Sequence, residues 1–360
     1  MTKINLLFIG PLNSGSTCNA RLQALKDLNN NVSEIDTSKW LSSKYKIINS
    51  FVQRTYLSNF IYNINKEILV FIKLKKIQII WIEKGEYIYP KTLALANKNN
   101  IFIINYNTDN IFLKKGHFWL HNLGIKYYNL YLTTNRLNVL DIKNKYNINC
   151  FRVAMGYDKN YEDGCNKFIQ KKYDVVFVGH WEPSTEESIL CLIKNGINVK
   201  VWGHNWKNSK YTVLQNVKPL PQKDYVETIA SSKIALCFLS KWNKNESTGR
   251  TFEIPAIGTL LVAEFTDEHN TIFKDGESAV LFYNNEDLVN KINDLLINSN
   301  KRELISYNGN FLIKKLELSW QLNLKREWPS ILSFYNKKGL ITHNCLWDKY
   351  AEGEMPPILK

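Results

Sequence analysis

A chain of 360 residues that is 44% hydrophobic and 13% aromatic carries enough apolar material for about two cores, which excludes wholesale disorder. Its 47 Lys and Arg against 33 Asp and Glu leave a net +14, a charge drawn to polyanions such as nucleic acid, anionic lipid or phosphorylated substrates, although the lysines are dispersed and form no basic arm. No stretch reaches the roughly 20 apolar residues of a membrane span, residues 4–9 are too short for a signal peptide's apolar region, and six scattered cysteines without a C-x-x-C pair fit reduced thiols in a cytoplasm, a host's if the chain is viral.

Apolar, β-branched runs predict strands at 4–9, 77–82, 101–106 and 130–133. Helices are expected at 17–28 and 90–98, and residues 45–74 are apolar at helical spacing, as for a helix wrapping one sheet face. A polar segment at 156–172 has no apolar period and marks a seam. Beyond it, strands expected at 173–178, 198–202, 234–238, 259–263 and 279–282 are separated or followed by helices at 186–194, 223–231, 251–257, 286–296 and 301–316. Short strands alternating with helices are the mark of parallel α/β sheets. The reading is therefore α/β with two doubly wound domains, 1–160 and 161–325, and a tail, 326–360, long enough to pack back across a cleft. Such domains bind ligands at the carboxyl ends of their strands, so candidate residues are sought there.

After the first strand comes a loop of small residues, with Asn13, Ser14 and Gly15 at its centre, leading into a helix. It is neither a P-loop nor a G-x-G-x-x-G turn, and an ordinary capped strand–helix turn fits it equally well. Gly179, His180 and Trp181 follow one strand of the second half, and Trp202, Gly203 and His204 close the next. Glycine at a strand end admits a phosphate and an aromatic can stack on a base, while ordinary packing explains any one of them. The densest segment is 241–269, KWNKNESTGRTFEIPAIGTLLVAEFTDEH. Thr248, Gly249 and Arg250 precede a helix there, which brings hydroxyl, guanidinium and free N–H groups together as a diphosphate requires. Glu253, in the helix's first turn, either accepts hydrogen bonds from a ribose diol or complements the helix dipole.

The run from 232 to 283 resembles the spore-maturation (CgeB-type) glycosyltransferase-like family. It matches at Lys233, Ile234, Thr248, Arg250, 252–256, Gly258, 264–269 and 273–277, with weaker matches at 81–90, 107–109, 131–135 and 177–181. The resemblance spans roughly residues 1–325 and implies the GT-B architecture, two Rossmann-like domains facing a central cleft. It implies a nucleotide-sugar site, a UDP-sugar above all, with Arg250 and Thr248 on the diphosphate and Glu253 on the ribose. Two departures stand out: Asn245 occupies the place of the first glutamate of the E-x7-E motif, and Gly249 stands where a hydroxyl residue is expected.

An inverting transfer needs a general base, for which Asp109 at a strand end is the candidate, with His117 and His121 behind it. No D-x-D motif stands at a strand end, so no metal and no cofactor beyond the nucleotide sugar is expected. The expected acceptor is a hydroxyl of a glycan or protein. Two alternatives are a phage-type transferase acting on modified DNA bases, which the +14 charge suits, and a non-catalytic nucleotide-sugar-binding protein, which the misaligned motif suits.

Overall fold

Two fully parallel sheets, one in each of two units, organise the chain. The computed structural model describes residues 3–13, 15–40, 59–74, 76–112, 119–166 and 170–336. The first unit comprises Met1–Ala154 together with the segment beginning at Trp320, and the second comprises Met155–Ser319.

The first unit runs β1 (Asn5–Gly10), α1 (Cys18–Asp27), β2 (Asn31–Asp36), α2 (Asn59–Leu74), β3 (Ile79–Glu83), α3 (Pro90–Lys98), β4 (Phe102–Asn107), α4 (Trp119–Gly124), β5 (Leu130–Thr133), α5 (Arg136–Tyr146) and β6 (Asn149–Arg152). Its strand order is β2-β1-β3-β4-β5-β6, so the winding direction reverses between β1 and β3. Central strands of a sheet covered on both faces read as unbroken apolar runs, and β3, IIWIE, is buried along its whole length. The edge strands β2 (NVSEID) and β6 (NCFR) are only partly buried and lack such a run, which is why the hydrophobic pattern does not announce them. Helix α5 escapes for a different reason: it buries Asn138 and Ile142 while leaving Leu137 and Leu140 exposed. Of the helix expected over 45–74, Asn59–Leu74 is helical, and 45–58 lie outside the described residues.

The second unit runs β7 (Tyr173–Val178), α6 (Pro183–Lys194), β8 (Val199–Trp202), α7 (Thr212–Gln215), α8 (Gln222–Ala230), β9 (Ser232–Cys237), α9 (Gly249–Ile257), β10 (Leu260–Glu264), α10 (Asp267–Ile272), β11 (Val280–Phe282), α11 (Asn285–Ile297) and α12 (Ser299–Lys315). Its order, β11-β10-β9-β7-β8, reverses direction between β7 and β9. The chain then returns to the first unit as α13 (Trp320–Tyr335), which packs on α1. Beyond 336 the expected tail lies outside the described residues.

The reversal point of the first sheet holds a buried ion pair. Arg21 of α1 donates from Nε and Nη2 to the two carboxylate oxygens of Glu83, at 2.9 and 2.7 Å, and both residues are buried. Trp81 Nε1 donates to the same carboxylate at 2.9 Å, and the rings of Tyr106 and Trp320 each lie 4.5 Å from the guanidinium carbon. Gly10 leaves the room, since a Cβ there would stand 2.9 Å from Glu83 Cβ. Burial and the neighbouring carboxylate push the Cys18 thiol up to about 11, so it is an inert thiol.

Two measurements test this unit. Arg21→Met leaves the Glu83 carboxylate buried without its cation, and is expected to cost about 3–5 kcal/mol in urea unfolding, with partial recovery in the Arg21→Met, Glu83→Leu pair. Separately, burial lowers the pKa of His121 from 6.5 to about 4, and its Nε2 lies 3.0 Å from Tyr131 Oη. The folded state binds that proton more weakly than the unfolded chain, so this contribution is complete above about pH 6.5 and is lost as pH falls towards about 4. Within that window stability should fall by up to about 1.4 kcal/mol per pH unit, a component that His121→Gln removes from urea melts.

Candidate functional site

The second sheet's reversal point lies between the carboxyl ends of β7 and β9, where doubly wound sheets open a binding crevice. Eleven residues separate the end of β9 from the start of helix α9, whose first turn reaches this point: Arg250 Nε donates to the carbonyl of Val178, the last residue of β7, at 3.0 Å. The same guanidinium donates from Nη1 to Glu253 Oε2 and lies 4.6 Å from the ring centre of Tyr225 on α8. Tyr225 Oη donates to Glu253 Oε2 at 2.9 Å. Burial, reinforced by the Glu253 carboxylate, raises the Tyr225 phenol well above its ordinary value despite the opposing pull of Arg250, so it remains a donor. Tyr161 packs against Tyr225 at 5.8 Å and accepts from Gln222 Nε2 at 3.0 Å.

The loop leading into α9 is tied down by the segment that follows β10. Glu264 Oε1 accepts from Leu239 N at 2.8 Å, and its other oxygen pairs with Lys241. Thr266 Oγ1 donates to the carbonyl of Glu246, and Ser247 Oγ to Glu268 Oε1, each at 2.8 Å. His269 is fully buried, and its Nδ1 lies 2.7 Å from the carbonyl of Glu264, which can only accept. The proton therefore sits on Nδ1, and Nε2 accepts from the Thr251 hydroxyl at 2.9 Å. Thr251 Oγ1 in turn accepts from Thr248 N at 3.0 Å, fixing the first turn of α9. Burial lowers the pKa of His269, which keeps this arrangement neutral. Glu264, Thr266, Glu268 and His269 thus serve as fasteners of the loop.

The strand-end glycines serve the chain itself. A Cβ on Gly203 (φ +155°) would stand 1.7 Å from the carbonyl oxygen of Gly179, and that oxygen also accepts from Trp206 Nε1 at 3.0 Å. On that side Gly203 admits the Gly179 backbone. The Trp202 ring packs edge-on against Tyr173, the first residue of β7, at 5.5 Å, where a base-stacking surface was expected. His180 and His204 are exposed and stack on each other at 5.4 Å.

In the first unit Asp109 pairs with Lys84 at 2.9 Å, and Asn107 and Asn138 hold its backbone. His121 is 1% exposed and enclosed by Tyr128 and Tyr131, which removes it from contact with an acceptor. In the loop after β1, Asn13 accepts from Ser16 N and Asn19 Nδ2, each at 3.1 Å, and Gly15 takes φ +87°. Ser14 and His117 lie outside the described residues. Among the described residues no group of three His, Cys, Asp or Glu is placed to hold a metal ion, and no helix is long and apolar enough to cross a membrane. Tyr225 was not singled out in the sequence, because it lies 28 residues before Glu253 on another helix with no motif around it.

Residues 186–318 match the model of a family described as glycosyl transferase-like. No curated protein sequence matches the chain. Among solved structures, HepE from Anabaena in complex with UDP-glucose is 13% identical, with TM-score 0.60, covering 92% of this chain and 100% of that one. Sucrose-phosphate synthase from Thermosynechococcus elongatus is 9% identical with TM-score 0.64, covering 93% and 100%. A DNA-modifying β-glucosyltransferase is 14% identical with TM-score 0.56, also covering 93% and 100%. The chain has the GT-B fold, two Rossmann-like α/β domains, and its second unit carries the glycosyl transferase-like segment.

His269→Ala and Thr251→Val each remove a partner of the α9 start. Each should cost about 0.5–2 kcal/mol, the worth of a helix N-cap, in thermal or urea unfolding.

Proposed function

We propose that the chain is a glycosyltransferase that moves a sugar from a nucleoside-diphosphate donor, a UDP-sugar first of all, to a hydroxyl of a glycan or protein in the cytoplasm. One observation carries this reading: in a segment matching a glycosyl transferase-like family, Arg250 stands at the first turn of α9 and is anchored to the end of β7 at the sheet's reversal point. Guanidinium, helix N–H groups and Thr248 together meet the charge that grows on a departing diphosphate. Glu253 takes the ribose, and Gly179 and His180 border the donor, with Trp202 and Gly203 shaping the end of β8. Asp109 is the proposed base for an inverting transfer; Lys84 keeps a positive charge beside its carboxylate. The motif run further favours the spore-maturation branch. HepE, solved with UDP-glucose, supports a hexose on uridine diphosphate as the first donor to try.

A second reading rests on the +14 charge and the likeness in fold to a DNA-modifying β-glucosyltransferase: the acceptor is DNA. Binding to duplex DNA that weakens steeply between 50 and 200 mM salt, roughly 1000-fold or more, would favour it.

The donor reading is tested by thermal unfolding against UDP, GDP, dTDP, ADP and CMP. A ligand at a hundredfold excess over its Kd stabilises by about 2.7 kcal/mol. One diphosphate should shift the melting temperature, and Arg250→Ala should abolish the shift. Absence of a shift with all five would overturn the donor site.

A further inference from the structure

Resting on that donor reading, we propose that Tyr225 is a positioning residue that makes Arg250 and Glu253 two separate readers, one of the diphosphate and one of a ribose hydroxyl, with Gly249 keeping the second reader open. Glu253 is 3% exposed. Its Oε2 accepts twice, from Tyr225 Oη and from Arg250 Nη1, whereas Oε1 has no hydrogen-bond partner among the described residues. A carboxylate oxygen with unused lone pairs on a residue otherwise so enclosed has room to accept from a donor that reaches it. Oε1 lies over Gly249, where a Cβ would stand 3.2 Å away, so any larger residue at 249 crowds the approach to it. This gives the glycine found in place of a hydroxyl residue a physical role.

Arg250 shows the same division. Val178 O holds Nε and Glu253 holds Nη1, which leaves Nη2 without a partner among the described residues. Tyr225 touches both readers by different parts of one side chain: its hydroxyl saturates Glu253 Oε2, and its ring supports the guanidinium at 4.6 Å. Hydroxyl and ring can therefore be removed one at a time.

Calorimetric titration with UDP, UMP and 2′,3′-dideoxy-UDP, or the same three forms of whichever base the nucleotide panel selects, separates the readers. The preference for UDP over its dideoxy form reports on Glu253, and the preference for UDP over UMP reports on Arg250. The wild-type chain should prefer UDP over dideoxy-UDP by about tenfold. Tyr225→Phe should cut that preference about fivefold while leaving the UDP-to-UMP ratio unchanged. Tyr225→Leu should lower both ratios, and Gly249→Ala only the first. Melting temperatures of the unliganded variants identify any that have lost their fold, and Tyr225→Phe keeps the test open if Tyr225→Leu is one of them. A purely structural role would weaken all three nucleotides in parallel with both ratios intact, and that result overturns the proposal while sparing the donor site. Failure of the wild-type chain to bind any of the nucleotides overturns the donor reading, and this inference with it.

Discussion

Covering both faces of a parallel sheet leaves polar chemistry only the strand ends, and the chain obeys this constraint twice. Strands such as β3 and β9 are buried along nearly their whole length, so hydrogen-bonding side chains gather where the sheet reverses its winding. In the first unit that place is occupied by Arg21 and Glu83, in the second by Arg250 and Glu253. The two pairs are chemically alike and differ in what is left over. The Arg21–Glu83 pair is bidentate, enclosed by two rings and joined by Trp81, so both carboxylate oxygens are engaged. The Arg250–Glu253 pair engages a single carboxylate oxygen. A closed pair holds a fold together, whereas a half-used pair at a strand end has capacity for a ligand.

The neutral imidazole of His269 shows how part of such a site is held without charge. One carbonyl selects its tautomer, the tautomer selects the direction of the Thr251 hydroxyl, and that hydroxyl fixes Thr248. Each link is a neutral hydrogen bond inside the protein, so the first turn of α9 is fixed without charge, while the loop before it is also held by the carboxylates of Glu264 and Glu268.

Much of this architecture was legible in the residues. The runs at 130–133, 173–178 and 90–98 coincide with β5, β7 and α3, because buried strands and a helix opened by Pro90 announce themselves through composition. The polar edge strands β2 and β6 and the inverted helix α5 were not legible, since edges and surface helices need not follow the apolar pattern. At the site, the Thr248–Glu253 run stood out and the structure brings Arg250 and Glu253 together, but the resemblance could not say what Glu264, Thr266, Glu268 and His269 do. Their work is done through backbone carbonyls, a tautomer and a helix cap, none of which is written in residue identity. At Trp202 an aromatic residue at a strand end suggests a stacking surface, and its ring also packs edge-on against Tyr173.

The ring that Trp320 lays on Arg21 has a consequence for how the chain is made. Arg21 and Glu83 leave the ribosome early, and every residue of the second unit is synthesised before Trp320 follows. At ordinary synthesis rates the interval between Glu83 and Trp320 is roughly 10–50 seconds. Once Tyr106 has followed Glu83, the guanidinium has its carboxylate but only one of its two aromatic walls until Trp320 is made. The second unit, contiguous in sequence, can complete its sheet in that time. The first unit is thus completed by a helix made only after the whole of the second unit.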